Sequence, residues 1–218
     1  YGAEQRAADC HHDRNLWQTA RVNVHLIRHG EVENPRHVVY AMLPGFGLSD
    51  RGRRQAAEAG RRLGKEPPRL IVTSPLQRAE ETAQLISVST GATVVVDDRL
   101  VEWGLSSRWA GFPWEELPEV FPGELDAYLD DPRDLPFSPE SLEDAGRRVA
   151  TCVAEWAQRE TGDLAFVSHQ DPVHAGAMLL SRVAAPDFHA NKPAHCSITT
   201  LQRAGSGWTV VSRWAPAE

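Results

Sequence analysis

The chain has 218 residues, of which 41% are hydrophobic and 24% charged, and its formal net charge is -7. A chain of this length can bury one substantial core, and the composition is ordinary for a globular protein. The sequence has no apolar stretch near the roughly 20 residues of a membrane span, and residues 1–21 lack the apolar segment of a secretory signal. The acidic balance argues against nucleic acid as a partner. We therefore expect a cytoplasmic protein that binds neither nucleic acid nor a membrane.

The cysteines and the opening segment favour neither a disulfide framework nor a metal site. Cys10, Cys152 and Cys196 are odd in number and form no Cys-x-x-Cys unit, so free thiols are expected. Cys10 precedes two histidines, which permits a metal reading, but such close neighbours cannot complete a tetrahedral site by themselves. Residues 1–21 are accordingly predicted to be an N-terminal extension that is frayed or docked on the surface.

The first strand is predicted to present an arginine and a histidine at its carboxyl end. Residues 22–27 form a short apolar run rich in β-branched side chains, and Arg28-His29-Gly30-Glu31 follows it directly. Open α/β sheets place their active sites at such strand ends. Arginine offers a planar fork of donors for an anionic oxygen pair, and histidine can stay neutral and nucleophilic near pH 7. Together they indicate phosphoryl chemistry, although a His-Gly pair after a strand is also ordinary turn chemistry.

A second arginine is predicted in the first turn of a helix. Residues 70–72 read as a buried strand, and a helix is predicted to follow with Ser74 as its N-cap and Pro75 at its first position. This start puts Arg78 near the positive end of the helix, where a cation is poorly placed unless an anion binds there. The alternative is an exposed arginine paired with Glu81 at helical spacing.

Two further strand ends are predicted to add a carboxylate and a second histidine. Residues 93–96 read as a third strand, and the chain continues toward the same sheet edge through Leu100-Val101-Glu102. Residues 164–167 read as a fourth strand that leads directly into Ser168-His169, with a helix predicted to begin at an Asp171 cap. Because carboxyl ends of parallel strands share one edge, these groups are expected to converge with the two arginines.

The expected cluster suits phosphoryl transfer. Two arginines and a second histidine around His29 would form an electropositive pocket for a dianionic phosphoryl group, whose transfer needs positioning and charge stabilisation. Glu102 could protonate the leaving oxygen if burial or the phosphate charge raises its pKa.

The stretch from about residue 103 to 140 is predicted to be an inserted cap over the strand ends. It lacks a regular period and is rich in aromatic, acidic and proline residues. Long irregular segments in compact domains are usually lids or binding loops. Its aromatic rings either form the cap's own small core or, in part, line a pocket for an apolar substrate group. Residues 197–201 and 208–214 alternate well enough to form a closing hairpin.

In order and spacing, residues 22–214 resemble the histidine phosphatase superfamily, also called phosphoglycerate mutase-like. The matching segments are Arg28-His29-Gly30-Glu31, Leu48-Ser49-Asp50-Arg51-Gly52, the run from Thr73 to Ala83, Leu100-Val101-Glu102, Glu140-Ser141 and Val167-Ser168-His169. The resemblance implies one α/β domain over residues 22–214, built as a three-layer α/β/α sandwich. Its central sheet would be mostly parallel with one antiparallel edge strand. The resemblance also implies chemistry without a metal or other cofactor.

By the same resemblance, His29 is the nucleophile that becomes a phosphohistidine. Glu102 would protonate the leaving group and then activate water. The groups implied to hold the phosphoryl oxygens are those of Arg28, Arg78, His169, Asn34 and Gln170. The chain departs from the family pattern at Gln170, where glycine is usual, and around Asn34.

The predicted function is a metal-independent phosphatase that hydrolyses a small-molecule phosphomonoester through a phosphohistidine. The aromatic cap adds the hypothesis that the ester carries a bulky or apolar group. One alternative is a phosphoglycerate mutase-type phosphotransferase, which should interconvert phosphoglycerates. Another is a non-catalytic phosphate-binding module, which would bind phosphate without turnover.

Overall fold

A six-stranded sheet forms the centre of the computed structural model, which describes residues 22–183, 187–205 and 207–217. The strands are β1 (Asn23–Arg28), β2 (Leu70–Thr73), β3 (Thr93–Val96), β4 (Leu164–Ser168), β5 (Ile198–Ala204) and β6 (Gly207–Trp214). They lie in the order β3-β2-β4-β1-β5-β6, with β1 to β4 parallel and β5 antiparallel to both of its neighbours. The predicted mostly parallel sheet with an antiparallel edge is therefore confirmed.

Helices cover both faces of the sheet and complete the predicted sandwich. In chain order they are α1 (Asp50–Leu63), α2 (Gln77–Thr90), α3 (Gly104–Arg108), α4 (Leu117–Val120), α5 (Glu124–Asp130), α6 (Leu142–Arg159) and α7 (Gln170–Ser181). Alternate side chains of β1 face opposite layers, since Val24 and Leu26 pack with α6 and α7, whereas Ile27 packs with α1 and α2. No described helix has both the length and the apolar character to cross a membrane.

Two helices begin at other residues than the sequence predicts. The α2 helix begins at Gln77 instead of Pro75, and its N-cap residue is Leu76 and not Ser74. The Ser74 hydroxyl accepts from the Leu76 amide at 3.3 Å and lies 2.9 Å from Nε2 of His169. The α7 helix begins at Gln170 with His169 at the N-cap position, so the predicted Asp171 cap is wrong. The Asp171 carboxylate instead bonds to side chains outside its helix. In both places tertiary contacts near one sheet edge take the side chain that local propensity assigns to capping.

The short helices α3, α4 and α5 form a cap with its own hydrophobic cluster. Trp103 and Trp109 are almost fully buried in it, together with Tyr128 and Leu117. The same cluster includes residues of α6 and α7, which attach the cap to one helical layer. Most of the cap's aromatic rings thus serve as its core, the first of the two alternatives above. The extension over residues 1–21, with its Cys10-His11-His12 trio, lies outside the described residues, whereas Cys152 and Cys196 are buried free thiols.

The turn after β1 packs tightly against the start of α1. A Cβ on Gly52 would lie 2.0 Å from the carbonyl oxygen of Glu31, and a Cβ on Gly30 would lie 2.7 Å from the carbonyl oxygen of Gly52. The Ser49 hydroxyl caps α1 by accepting from the Gly52 amide, and it donates to the Glu31 carboxylate at 2.7 Å. Because both glycines lack side chains, the backbone of the turn that carries His29 can pack directly against the backbone at the start of α1.

Gly52→Ala should destabilise the protein by about 2–3 kcal/mol, because the new methyl group overlaps backbone atoms that cannot move independently. Urea unfolding measures this change in the free energy of unfolding. Gly91 is the matched control, since a Cβ there meets no atom within 4 Å. Its φ of +70° makes Gly91→Ala cost only about 1 kcal/mol of backbone strain. Equal losses for the two variants would contradict the packing argument.

Candidate active site

Four elements bring their chemical groups to the edge where the parallel strands end. His29 follows β1, His169 joins β4 to α7, Arg78 lies in the first turn of α2, and Glu102 follows β3 after a short 3-10 turn. The rings of His29 and His169 have centroids 5.2 Å apart. The Glu102 carboxylate lies 3.7 Å from Nδ1 of His169 and 3.9 Å from the Arg78 guanidinium. Residues separated by up to 140 positions thus form one cluster, as parallel topology requires.

His29 is held as a neutral imidazole with one nitrogen free to react. Its Nδ1 lies 2.7 Å from the carbonyl oxygen of Gly30, which can only accept, so Nδ1 carries the proton. Nε2 therefore keeps its lone pair and accepts from Nε of Arg78 at 3.2 Å. Burial lowers the pKa of His29 well below its ordinary value, and the charges of Arg78 and Arg28 lower it further. The result is a fixed imidazole whose Nε2 carries no proton.

Arg28 is oriented by three acceptors, one at the start of α7 and two in the chain that leads into β5. Its NH1 donates to the Gln170 side chain at 2.5 Å and to the Pro193 carbonyl at 3.0 Å, and its NH2 lies 2.8 Å from Nε2 of His195. Among the described residues, Nε of Arg28 and Nδ1 of His169 are buried without a hydrogen-bond partner. Buried polar atoms left in this way are costly unless a ligand satisfies them. Their place beside His29 indicates a ligand with several acceptor oxygens.

Arg78 supplies a second guanidinium from the first turn of α2. Its side chain is 1% exposed, donates from NH2 to the Ala41 carbonyl at 2.8 Å, and stacks over the Tyr40 ring at 4.7 Å. Burial lowers its pKa, and the Glu102 carboxylate, 3.9 Å away, opposes that shift. A buried cation whose nearest carboxylate is this distant favours the approach of a further anion.

Glu102 is positioned as a carboxylic acid. Burial raises its pKa above the ordinary value, an effect that the Arg78 charge partly offsets. Arg148 fixes the loop that carries Glu102. The Arg148 guanidinium donates to the Val101 carbonyl at 2.7 Å and to the Glu102 carbonyl at 2.9 Å. Glu140 in turn pairs with Arg148 at 2.7 Å. The acid is thus attached to α6 through a guanidinium that is shared between carbonyls and a carboxylate.

The structure does not bring Asn34 into this cluster. Its side-chain amide donates to the Val38 carbonyl at 2.9 Å and accepts from the Val38 amide at 3.2 Å, so both polar atoms close a local turn. Gln170, in contrast, lies at the start of α7 and contacts Arg28. The two weaker phosphate ligands implied by the family resemblance therefore differ, because only Gln170 lies at the cluster.

A cavity of about 200 Å³ opens from His29 toward the cap. Its catalytic end holds Arg28, His29 and Glu102, and its cap end is dominated by aromatic rings. The remaining lining residues are Val39, Tyr40, Ala41, Trp103, Leu105, Ser106, Trp109, Trp114, Tyr128, Gln170 and Asp171. Trp114 is 41% exposed, whereas Trp103 and Trp109 are buried, so the rings extend from the cap core to the surface. The cavity can hold a charged group at one end and a ring against the other.

The cluster also has the donor types of a metal site, but its charges oppose a cation. Ligand atoms of His29, Glu102 and His169 all lie within 4.8 Å of one another. However, Nε2 of His29 already accepts from Arg78, and the Arg78 guanidinium is 3.9 Å from the Glu102 carboxylate. A metal ion would have to displace that donor and lie beside buried positive charge. The same surroundings favour an anion.

Comparison with known proteins agrees with the arrangement. Over residues 24–215 the sequence matches the family described as the histidine phosphatase superfamily (branch 1). The chain belongs to the histidine phosphatase superfamily. An uncharacterized protein of Mycobacterium tuberculosis is 38% identical over 159 residues, which cover 69% of this chain and 74% of that protein. Glucosyl-3-phosphoglycerate phosphatase of the same organism is 31% identical over 204 residues, or 88% of this chain and 86% of that protein.

The structural comparison leads to the same superfamily. The native structure of mycobacterial glucosyl-3-phosphoglycerate phosphatase matches this chain with a TM-score of 0.78 at 28% identity. The match covers 90% of this chain and 100% of that chain. The resemblance inferred from the motifs is therefore confirmed.

Sequence reasoning missed three residues of this superfamily site. His195 precedes β5, whose reversed direction brings its start to the edge where the parallel strands end, and this topology could have revealed it. Burial lowers the pKa of His195 to about 3, so its Nε2 accepts from Arg28. Arg148 is half-buried beside the buried stripe of α6, and a charged residue at that position is itself a signal. Tyr40 lies in an irregular loop and has no such signal.

The pH dependence of kcat/KM should follow the two shifted pKa values in opposite directions. His29 must be neutral, so activity should persist below the ordinary imidazole pKa, because its own pKa is lowered. A general acid at Glu102 would have to be protonated, so activity should fall as pH rises through its raised pKa. A pH profile corrected for substrate ionisation measures both limbs. Glu102→Gln should remove the alkaline limb, and an unchanged limb would contradict the assignment.

Proposed function

We propose that this chain is a metal-independent phosphatase that hydrolyses a small-molecule phosphomonoester through a phosphohistidine at His29. The observation that carries the proposal is the lone pair on Nε2 of His29, which is unprotonated, buried and flanked by two guanidinium groups. The names of the glucosyl-3-phosphoglycerate phosphatase relatives support a small phosphorylated substrate.

In the first step Nε2 of His29 attacks phosphorus in line with the ester oxygen. The P–O bond breaks, and the leaving oxygen takes the proton of the Glu102 carboxyl group. The Gly30 carbonyl accepts from Nδ1 and stabilises the positive charge that develops on the ring. The alcohol leaves, and the phosphoryl group remains on His29.

In the second step Glu102, now a carboxylate, takes a proton from water. The resulting hydroxide attacks phosphorus, the P–N bond breaks, and inorganic phosphate leaves with His29 neutral again. Arg28, Arg78 and His169 hold the non-bridging oxygens through both steps, and Gln170 orients Arg28 and offers its backbone amide. Asn34 is assigned no part, because its amide is engaged with Val38.

The alcohol portion of the phosphate ester is proposed to lie against the aromatic end of the cavity. An apolar cavity of about 150 Å³ is enough to hold a benzene ring, and this cavity measures about 200 Å³. The rings of Trp103, Trp109 and Trp114 line the cavity. A bulky leaving group in it would lie in van der Waals contact with these rings. A substrate with such a group is therefore favoured over a short alcohol phosphate.

Phosphate release from a broad panel of phosphomonoesters, measured with and without EDTA, tests the proposal. We expect turnover that EDTA leaves unchanged, because no step uses a metal. Loss of activity in EDTA that zinc or magnesium restores would contradict metal independence. Phosphate binding without turnover would support the binding module, and isomerisation of phosphoglycerates without net phosphate release would support the mutase.

A further inference from the structure

The cavity is asymmetric in charge. Arg28 is the one lysine or arginine in its described lining, and it lies at the phosphoryl end. The other acidic side chains of the lining are those of Glu102, which is proposed to carry a proton when the ester binds, and Asp171. Five aromatic rings complete the wall, those of Tyr40, Trp103, Trp109, Trp114 and Tyr128. The alcohol portion of an ester in this cavity thus meets the Asp171 carboxylate and the negative faces of aromatic rings.

Two cations near the cap, Lys192 and Arg108, are already paired. Lys192 lies 3.0 Å from the Asp171 carboxylate and also donates to the Tyr128 hydroxyl at 2.5 Å. Arg108 binds the Glu124 carboxylate through two nitrogen atoms at 2.6–3.0 Å. Asp171 accepts a further bond from Tyr128 at 3.1 Å. Neither of these two cations is free to neutralise a second anion, and the described cavity lining holds no lysine or arginine besides Arg28.

A carboxylate on the alcohol portion of the substrate would consequently lose its hydrating water molecules without gaining a cation as a partner. An unpaired buried charge costs several kcal/mol, and nearby like charges add to that cost. The phosphoryl group does not suffer this cost, because it lies between two guanidinium groups. The charge pattern therefore discriminates between esters by the charge of the leaving group and not by the phosphate.

We propose, building on the phosphatase function above, that the substrate is a phosphomonoester of an uncharged, ring-bearing alcohol and that Asp171 excludes esters with a carboxylate. This substrate class differs from the one named for the relatives, since phosphoglycerates carry a carboxylate. Asp171 acts on the alcohol portion of the substrate by repelling a carboxylate there, and it takes no part in the transfer of the phosphoryl group. It is a specificity-determining residue.

The test compares two esters that differ only in the carboxylate, benzyl phosphate and 4-carboxybenzyl phosphate. In the wild type, kcat/KM should be at least about tenfold higher for benzyl phosphate. Asp171→Asn removes the wall charge and releases the Lys192 ammonium group, so the ratio of the two kcat/KM values should fall by about tenfold. Using a ratio within one preparation cancels any loss of folded enzyme.

Asp50→Asn is the matched control, because Asp50 also lies in the first turn of a helix but is exposed and is not among the residues that line the cavity. It should leave the ratio unchanged. Equal kcat/KM for the two esters in the wild type would overturn the proposed substrate class. A preference that Asp171→Asn leaves intact would overturn the role of Asp171.

Failure of the phosphatase function is separable from failure of this inference. If neither ester is hydrolysed, the proposed function fails, and calorimetric binding of the two esters still tests the charge argument. Tighter binding of benzyl phosphate to the wild type, with the difference reduced in Asp171→Asn, would support it. Equal binding of the two esters would overturn it.

Discussion

His29→Ala should lower kcat/KM for phosphate release by about 10⁴-fold or more, because no other described side chain of the cluster is placed to take the phosphoryl group. His169 is the nearest histidine, but its Nε2 lies 2.9 Å from the Ser74 hydroxyl, and its Nδ1 faces Glu102. Steady-state phosphate release on the best ester of the panel measures the loss. His37→Ala is the control, since His37 is exposed and pairs with Glu115 at the surface.

The His29 variant should still bind phosphate, because both guanidinium groups remain in place. Retained phosphate binding, measured by calorimetry, would separate a lost nucleophile from a collapsed site. Turnover comparable to the wild type would remove His29 from the mechanism. Equal losses in the His37 variant would show that the effect is not specific to the site.

Glu102→Gln should reduce activity by an amount that depends on the leaving group. For an alkyl phosphate, whose leaving oxygen needs a proton, kcat/KM should fall by about 10²–10⁴-fold. For p-nitrophenyl phosphate, whose leaving group departs as a stable anion, the fall should be much smaller. The parameter kcat/KM reports the first chemical step, so the later role of Glu102 with water does not confuse the comparison.

The matched control for this variant is Glu81→Gln. Glu81 accepts from the Leu48 amide and from Gln77, outside the cavity lining. The Glu81→Gln substitution should change kcat/KM for alkyl and aryl esters by the same factor. Equal losses for both ester types in Glu102→Gln would contradict a proton donor and would indicate that Glu102 acts on binding or on folding.

The sequence predicts the sheet and the strand-end groups because those signals are local. Short apolar runs followed by Arg28 and His29, or by Ser168 and His169, report both a buried strand and what its end presents. Parallel topology then brings the ends together without further information. The convergence of His29, Arg78, His169 and Glu102 could therefore be expected before the structure.

The parts that the sequence could not predict depend on long-range competition for single polar groups. Ser74 has the local features of a helix cap but contacts His169, and Asp171 bonds to side chains outside its helix. Asn34 is close to the first motif in sequence, yet its amide is used within its own turn. His195 is remote in sequence and reaches Arg28 only because β5 runs in the opposite direction. The domain limits, the cytoplasmic location and the catalytic roles stay predictions.

Trapping the phosphorylated enzyme tests the central claim most directly. The Glu102→Gln variant is mixed with p-nitrophenyl phosphate, quenched at alkaline pH, where phosphohistidine is stable, and analysed by peptide mass spectrometry. Since this variant can be phosphorylated by an activated ester but is slow to activate water, the intermediate should accumulate. We expect one phosphoryl group on the peptide that contains His29. A phosphoryl group on His169 instead, or turnover with no phosphorylated peptide, would contradict the account.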